Sequence, residues 1–206
     1  MTARTPRRSP GSGERQRDPE RTKARILDAA KAEFGARGFA AARISDIADR
    51  AGVNKQLISY YFGGKEGLYK ELTTRWQRAS GELSQSDLPL DAVLAGFVMS
   101  NLYERDWARL MVWSNLDTES STPDEAADYG FMQTQVAELR RRQEAGELPD
   151  DLDPAYLFLA LFAAACAGVT LPKVARMVCG ADPDTPAFAE RYADQLSRLV
   201  RHLHPS

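Results

Sequence analysis

Along residues 43–62, RISDIADRAGVNKQLISYYF, apolar side chains recur at the spacing of two short helices. Ile44, Ile47 and Ala48 give the first helix one apolar face, and the small Ala48 sits where the two helices would cross. Gly52 follows where a helix end favours left-handed backbone, Val53 plugs the turn, and Asn54 is placed to cap a second helix over Lys55 to Phe62. In that second helix Ile58, Tyr61 and Phe62 face inward, which leaves Lys55, Gln56, Leu57, Ser59 and Tyr60 outside. The pattern predicts a helix-turn-helix over 43–62. An outer face of amide, hydroxyl, aromatic and cationic groups suits a helix laid in a DNA major groove, where it must meet base edges and phosphates. A small helical hairpin whose polar face meets only water has the same pattern.

The same periodicity extends in both directions. A first helix from about Arg21 to Arg37 carries Ile26, Leu27, Ala30 and Phe34, ends at Gly38, and is followed by Phe39 to close a small core. Gly63-Gly64 breaks the chain before a helix from Lys65, whose stripe of Leu68, Leu72, Trp76, Ala79 and Leu83 leads into the remainder. Helical patterns follow over 91–104 (Val93, Leu94, Phe97, Val98, Leu102) and 106–115 (Trp107, Leu110, Met111, Trp113). Thr122-Pro123-Asp124-Glu125 reads as a capped start to a helix through Tyr129, Met132, Val136 and Leu139. It ends in Arg140-Arg141-Arg142, which reads as a cationic helix terminus on a solvated face. Asp153-Pro154 opens a helix that is apolar nearly all round and so must be buried on several sides. Pro172 kinks or ends it, and Thr185-Pro186 starts a last helix striped with Phe188, Tyr192, Leu196, Leu199, Val200 and Leu203. The expectation is an all-α chain of about nine helices: a tail over 1–20, a DNA-binding head over 21–66, and a body over 67–206.

Charge sharpens that division. The whole chain of 206 residues has a formal net charge of −2. Residues 1–65 hold 14 Lys and Arg against 7 Asp and Glu, net +7, while residues 66–206 hold 13 against 22, net −9. A basic head on an acidic body fits a surface that faces nucleic acid joined to one that repels it. Residues 1–20 are rich in Pro, Gly, Ser and charge and read as a disordered tail. Arg4, Arg7, Arg8, Arg15 and Arg17 could let it follow DNA phosphates, though plain solvation accounts for them as well.

Enzymatic chemistry finds little support. The two histidines, His202 and His204, lie within five residues of the end, and no nucleophile elbow, dinucleotide loop or metal-spaced cluster occurs. Gly63-Gly64-Lys65 lacks the rest of a phosphate-binding loop. No cofactor or metal is expected. Cys166 and Cys179 have no paired spacing and read as buried reduced thiols; with no secretory signal and no membrane-length apolar run, a cytoplasmic protein is expected. A helical interaction module without DNA binding remains the rival reading, and the cationic face of the second hairpin helix weighs against it.

Three segments in order, TKARILDAAKAEFGARGF, ISDIADRAGVNKQLISYYF and GGKEGLYKEL, make residues 21–83 resemble the DNA-binding domain of TetR-family (tetracycline-repressor-like) transcriptional regulators. The resemblance implies phosphate contacts from Lys55, Ser59, Tyr61 and Lys65 and base contacts from Gln56, Leu57 and Tyr60, with Asn54 on the same surface. Thr22, Arg25 and Arg43 would join the phosphate set. Ala42 and Arg43 depart from the family, which has a Thr or Ser at this helix entry; Arg43 would replace a hydroxyl contact by a charged one.

The resemblance also implies a homodimer that binds a palindromic operator, acts most simply as a repressor, and is released by a small effector. The aromatic and Met-rich middle of the chain would line the effector pocket: Trp76, Phe97, Tyr103, Trp107, Met111, Trp113, Phe131 and Met132, with Asn115 and Gln135 as polar anchors. That composition points to an apolar or aromatic ligand. The last two long helices would pair between chains through Leu157, Leu161, Ala164, Gly168, Tyr192, Leu196, Leu199 and Val200, unless these form a core within one chain.

Overall fold

The computed structural model of the chain describes residues 12–116 and 123–203, with residues 12–18 described as backbone only. It is all-α. Among the described residues ten helices run in order: α1 (Ser12–Ala41), α2 (Ile44–Ala51), α3 (Lys55–Phe62), α4 (Lys65–Ser84), α5 (Leu90–Tyr103), α6 (Arg105–Leu116), α7 (Glu125–Glu144), α8 (Pro154–Thr170), α9 (Pro172–Cys179) and α10 (Pro186–Arg201). The count exceeds the expected nine because the chain bends by 86° at Leu171 and the segment after Pro172 becomes a helix of its own. α1 starts at Ser12, inside the stretch expected to be a tail, and is interrupted at Gly38, whose backbone is non-helical with φ 75°. The rest of the tail, with Arg4, Arg7 and Arg8, and the side chains of Arg15 and Arg17, lie outside the described residues, as do Thr122 and His204.

Local chemistry accounts for the element ends. Gly52 holds φ 62° at the end of α2, a left-handed geometry that costs a side-chain-bearing residue energy. Asn54, Asp153 and Thr185 each cap the following helix, their side-chain oxygens accepting from the backbone N–H groups of Gln56, Ala155 and Phe188. α7 opens at Glu125 with Asp124 in the cap position. The Asp124 carboxylate forms an ion pair with Lys70 of α4 at 2.8 Å and makes no cap bond, so it ties two helices together instead.

One buried cluster unites the head with part of the body. Ile26, Ala30 and Phe34 of α1, Ile47 and Ala48 of α2, Ile58 of α3, and Leu68, Tyr69 and Leu72 of α4 pack with Trp107 and Leu110 of α6. The head core therefore does not close at residue 66. α1 and α6 approach so closely that a Cβ at Gly35 would lie 2.5 Å from the Asp106 carbonyl oxygen, and Lys31 pairs with Glu104 at 2.6 Å beside that crossing.

A second cluster forms where α10 lies along α5 and touches α8: Leu94 and Val98 pack with Ala165, Ala193, Leu196 and Val200. Ser197 donates to the Asp91 carbonyl at 2.9 Å, and Tyr192 donates to the Ala164 carbonyl at 2.9 Å. These contacts engage part of the expected dimer surface within one chain. Leu196 and Val200 are already buried by α5 in a single chain, Ala164 and Tyr192 are joined to each other, Gly168 packs against Phe188, and half-buried Leu161 faces a cavity described below. Leu157 is half-buried and Leu199 is exposed. The large apolar groups left outside on this side are Tyr156 and Leu159 of α8, Leu171 at the bend, and Val174, Met177 and Val178 of α9.

Two further expectations fail. Arg142 is buried, not solvated, because Glu138 and Glu147 neutralise it and the Leu88 carbonyl accepts from it. Cys179 is exposed, while Cys166 is partly buried and its thiol pKa is pushed up by desolvation. No single described helix is long and apolar enough to cross a membrane.

Candidate nucleic-acid interface and effector cavity

The surface expected to meet DNA is assembled on two turns of helix. Ile58 is the fully buried residue of α3, and Leu57, Tyr61 and Phe62 pack partly against the same core. Lys55, Gln56, Ser59 and Tyr60 are exposed, and Tyr60 is 80% exposed. Positions four apart stack along a helix, so Lys55 lies over Ser59 and Gln56 over Tyr60. The free face is thus narrower than expected. Leu57 is turned partly inward because a two-turn helix needs several apolar positions to hold it down. Tyr61 leans edge-on against Tyr60 with ring centroids 5.1 Å apart, and the Lys23 ammonium lies 5.7 Å from its ring centroid.

Three of the expected DNA contacts are occupied by the protein itself. Asn54 spends its side-chain oxygen on the cap of α3, with a 2.9 Å bond from the Gln56 N–H. The Arg25 guanidinium donates to the Ala51 carbonyl and reaches the Gly52 carbonyl at 3.5 Å, closing off the C-terminal end of α2. Lys65 donates to the Ala40 and Ala42 carbonyls at 3.0 and 2.9 Å and sits 4.6 Å from the Phe39 ring centroid. Partial desolvation there lowers its pKa. Arg25 and Lys65 therefore fasten the loops that carry α2 and α3. Arg43 is exposed at the entry of α2 with no cap bond, and Thr22 is half-buried on α1.

The body contains a cavity, open at one side, between α4, α5, α6, α7 and α8. Four of the expected lining residues are on its wall: Trp76, Phe97, Met111 and Gln135. The other six are not. Trp107 is buried in the head core, where its ring lies 5.5 Å from that of Trp76, and Phe131 packs edge-on behind Trp76 at 5.1 Å. Tyr103 is exposed, Trp113 packs over Gly38, and the exposed Asn115 donates to the Met111 carbonyl of its own helix. Met132 is half-buried beside the wall residues of α7 but does not reach the cavity.

The sequence reading missed the wall supplied by α8, where Phe158, Leu161, Phe162 and Cys166 line the space, and the polar residues Asn101, Glu138 and Arg142. The signals were present. An all-apolar helix must meet something on every side, and Glu138 and Arg142 are four apart, the spacing of a helical ion pair. Trp76 and Met111 also pack against the head core, so two residues of the cavity wall touch the DNA-facing unit directly. Among the described residues no group of His, Cys, Asp and Glu side chains is arranged to hold a metal ion.

Comparison with known proteins agrees with this geometry. Residues 26–72 match the tetR family of bacterial regulatory proteins, and residues 96–200 match the tetracyclin repressor-like C-terminal domain. The chain is 33% identical over 191 residues to the HTH-type transcriptional repressor SCO4008 of Streptomyces coelicolor, covering 89% of this chain and 97% of that protein. The crystal structure of SCO4942, a Streptomyces coelicolor protein described as a transcriptional regulator, superimposes with a TM-score of 0.71 at 27% identity, over 89% of this chain and 98% of that one. Salmonella enterica GusR shares the fold, with a TM-score of 0.61 at 19% identity over 87% and 95% of the two chains. With both halves matched and a full-length relative at this identity, the chain belongs to the TetR family of DNA-binding transcriptional regulators.

Proposed function

We propose that this regulator works as a homodimeric repressor that reads a palindromic operator through α3 and lets go when an apolar effector fills the body cavity. The observation that carries the DNA-binding part is the free face of α3. Lys55, Gln56, Ser59 and Tyr60 are exposed on one side while the rest of the helix is held by the core. Gln56 has the donor and acceptor pair that matches adenine in the major groove, the Tyr60 ring can meet a thymine methyl, and Lys55, Ser59 and Arg43 suit phosphates. One such helix reads a few base pairs. Two related by a twofold axis read a palindrome, with recognition helices about 34–36 Å apart, one turn of DNA.

The dimer is assigned to the outer side of α8 and α9, where Tyr156, Leu159, Val174, Met177 and Val178 stay exposed in the single chain, as apolar groups at an interface between copies do. Release follows from the contacts of the cavity wall. A ligand that displaces Trp76 or Met111 moves residues packed on the head core and changes the spacing of the two α3 helices. Carrying the population from 1:99 to 99:1 takes about 5.5 kcal/mol of differential binding, within reach of a largely apolar cavity.

Selection of bound duplexes from a randomised pool tests the reading. It should enrich an inverted repeat whose half-sites are one helical turn apart. Failure to enrich any sequence would favour a helical interaction module that no longer binds DNA.

A further inference from the structure

Gln135 stands on the cavity wall at 6% exposure, and its side-chain Nε2 has no hydrogen-bond partner. A buried amide donor left unmatched costs the free protein energy, and a ligand that supplies an acceptor recovers it. The charged groups on the wall are already matched. Both Glu138 oxygens accept from Arg141, at 2.6 and 2.9 Å, and one also accepts from Arg142 at 3.0 Å. Arg142 in turn pairs with Glu147 and donates to the Leu88 carbonyl. Two carboxylates and two guanidinium groups therefore balance, and Asn101 donates to the Ala165 carbonyl at 3.0 Å. The remaining wall is apolar and aromatic, with Trp76, Phe97, Phe158 and Phe162.

We infer that the cavity selects an uncharged aromatic ligand bearing one hydrogen-bond acceptor, a carbonyl or its equivalent, which takes the Gln135 amide. The inference rests on the reading of this cavity as the effector site. Charge is not what the site selects, because its charged groups have no unpaired member. Specificity comes from the buried, open Gln135 donor, since a site with an unmatched polar group discriminates against ligands that leave it unmatched.

The test uses the full-length protein and four small probes of nearly equal size: acetophenone, cumene, benzoate and benzylammonium, each titrated by NMR. The ratio of acetophenone to cumene affinity, in which their different costs of leaving water cancel between proteins, is expected to be about five- to tenfold higher in the wild type than in Gln135→Met, the worth of one neutral hydrogen bond, and acetophenone should bind more tightly than either ion. Gln135→Met keeps the bulk and loses the donor, so acetophenone should weaken there while cumene does not. An acetophenone to cumene ratio unchanged in the variant, or in Gln135→Leu should the Met variant not fold, would overturn the assignment of the donor. A preference for benzylammonium or benzoate would overturn the claim about charge. Binding of none of the four would contradict the cavity itself as an effector site, a failure distinct from the other two.

Discussion

Replacing Lys65 with methionine separates two roles for a lysine at the start of α4. A phosphate contact is what the family resemblance implies, whereas the structure engages the ammonium with the Ala40 and Ala42 carbonyls and the Phe39 ring. Hydrogen bonds from a charged donor contribute about 1.5–3 kcal/mol each when they are buried. One of these two is exposed, and its carbonyl can rehydrate in the variant. The cation–π contact adds about 0.5–1 kcal/mol. With rehydration subtracted, Lys65→Met should lose about 2 kcal/mol, which for a chain of this size lowers Tm by about 4–8 °C. DNA affinity should fall because the loop leading into α2 loosens, but the dependence of log K on log salt should keep its slope. Loss of a true phosphate contact would flatten that slope by about 0.9 per subunit, or about 1.8 for a dimer. Thermal unfolding and a salt titration on the same preparation decide the matter. A flattened slope with Tm unchanged would refute the positioning role.

Three other substitutions probe separate parts of the account. Gly35→Ala places a Cβ 2.5 Å from the Asp106 carbonyl oxygen and must push α1 from α6; calorimetry should show a loss of about 1–3 kcal/mol, the cost of overpacking. Arg141 and then Arg142 hold the Glu138 carboxyl below its ordinary pKa of 4.5, so its contribution to stability is complete above that value and is lost as pH falls beneath it. Glu138→Gln should therefore be less stable than wild type at neutral pH, with the gap closing in acid, as pH-dependent denaturant titrations would show. Leu159→Glu, at a site 63% exposed in the single chain, should leave the monomer folded but give a monomer by sedimentation and weaken operator binding; a stable dimer in this variant would move the interface elsewhere.

How far the sequence could be read depended on whether the determining contacts were local. Gly52 and Asn54 set the ends of α2 and α3 through backbone conformation and a cap bond, so the helix-turn-helix was legible from residue type alone. The division of labour on α3 was only partly so. Leu57 and Tyr61 were expected at the DNA, yet both pack in part against the core. Arg25 and Lys65 look like phosphate contacts in a sequence, and only the folded chain brings carbonyls 23 to 27 residues away within their reach. The cavity was the hardest part. Trp107 and Trp76 have similar surroundings in sequence, but α1 buries the first and leaves the second on the wall. α8 was expected to be buried on several sides, yet in the single chain Ala165 is its one buried residue and Tyr156 and Leu159 stay exposed. Its inner face meets a cavity and α10 of the same chain, and only its outer face remains for a partner.

The central claim, sequence-specific DNA binding through α3, is tested most directly by titrating the protein against the DNA upstream of its own gene across a range of salt, beside a Lys55→Ala/Tyr60→Ala double variant. Both side chains are exposed, so the double variant should unfold like the wild type. The wild type should bind this DNA about 10³-fold or more above random duplex, with affinity falling steeply as salt rises, and the variant should lose that preference. Equal binding to specific and random DNA, with no sequence recovered by selection either, would contradict the claim, and so would a variant that kept the wild-type preference.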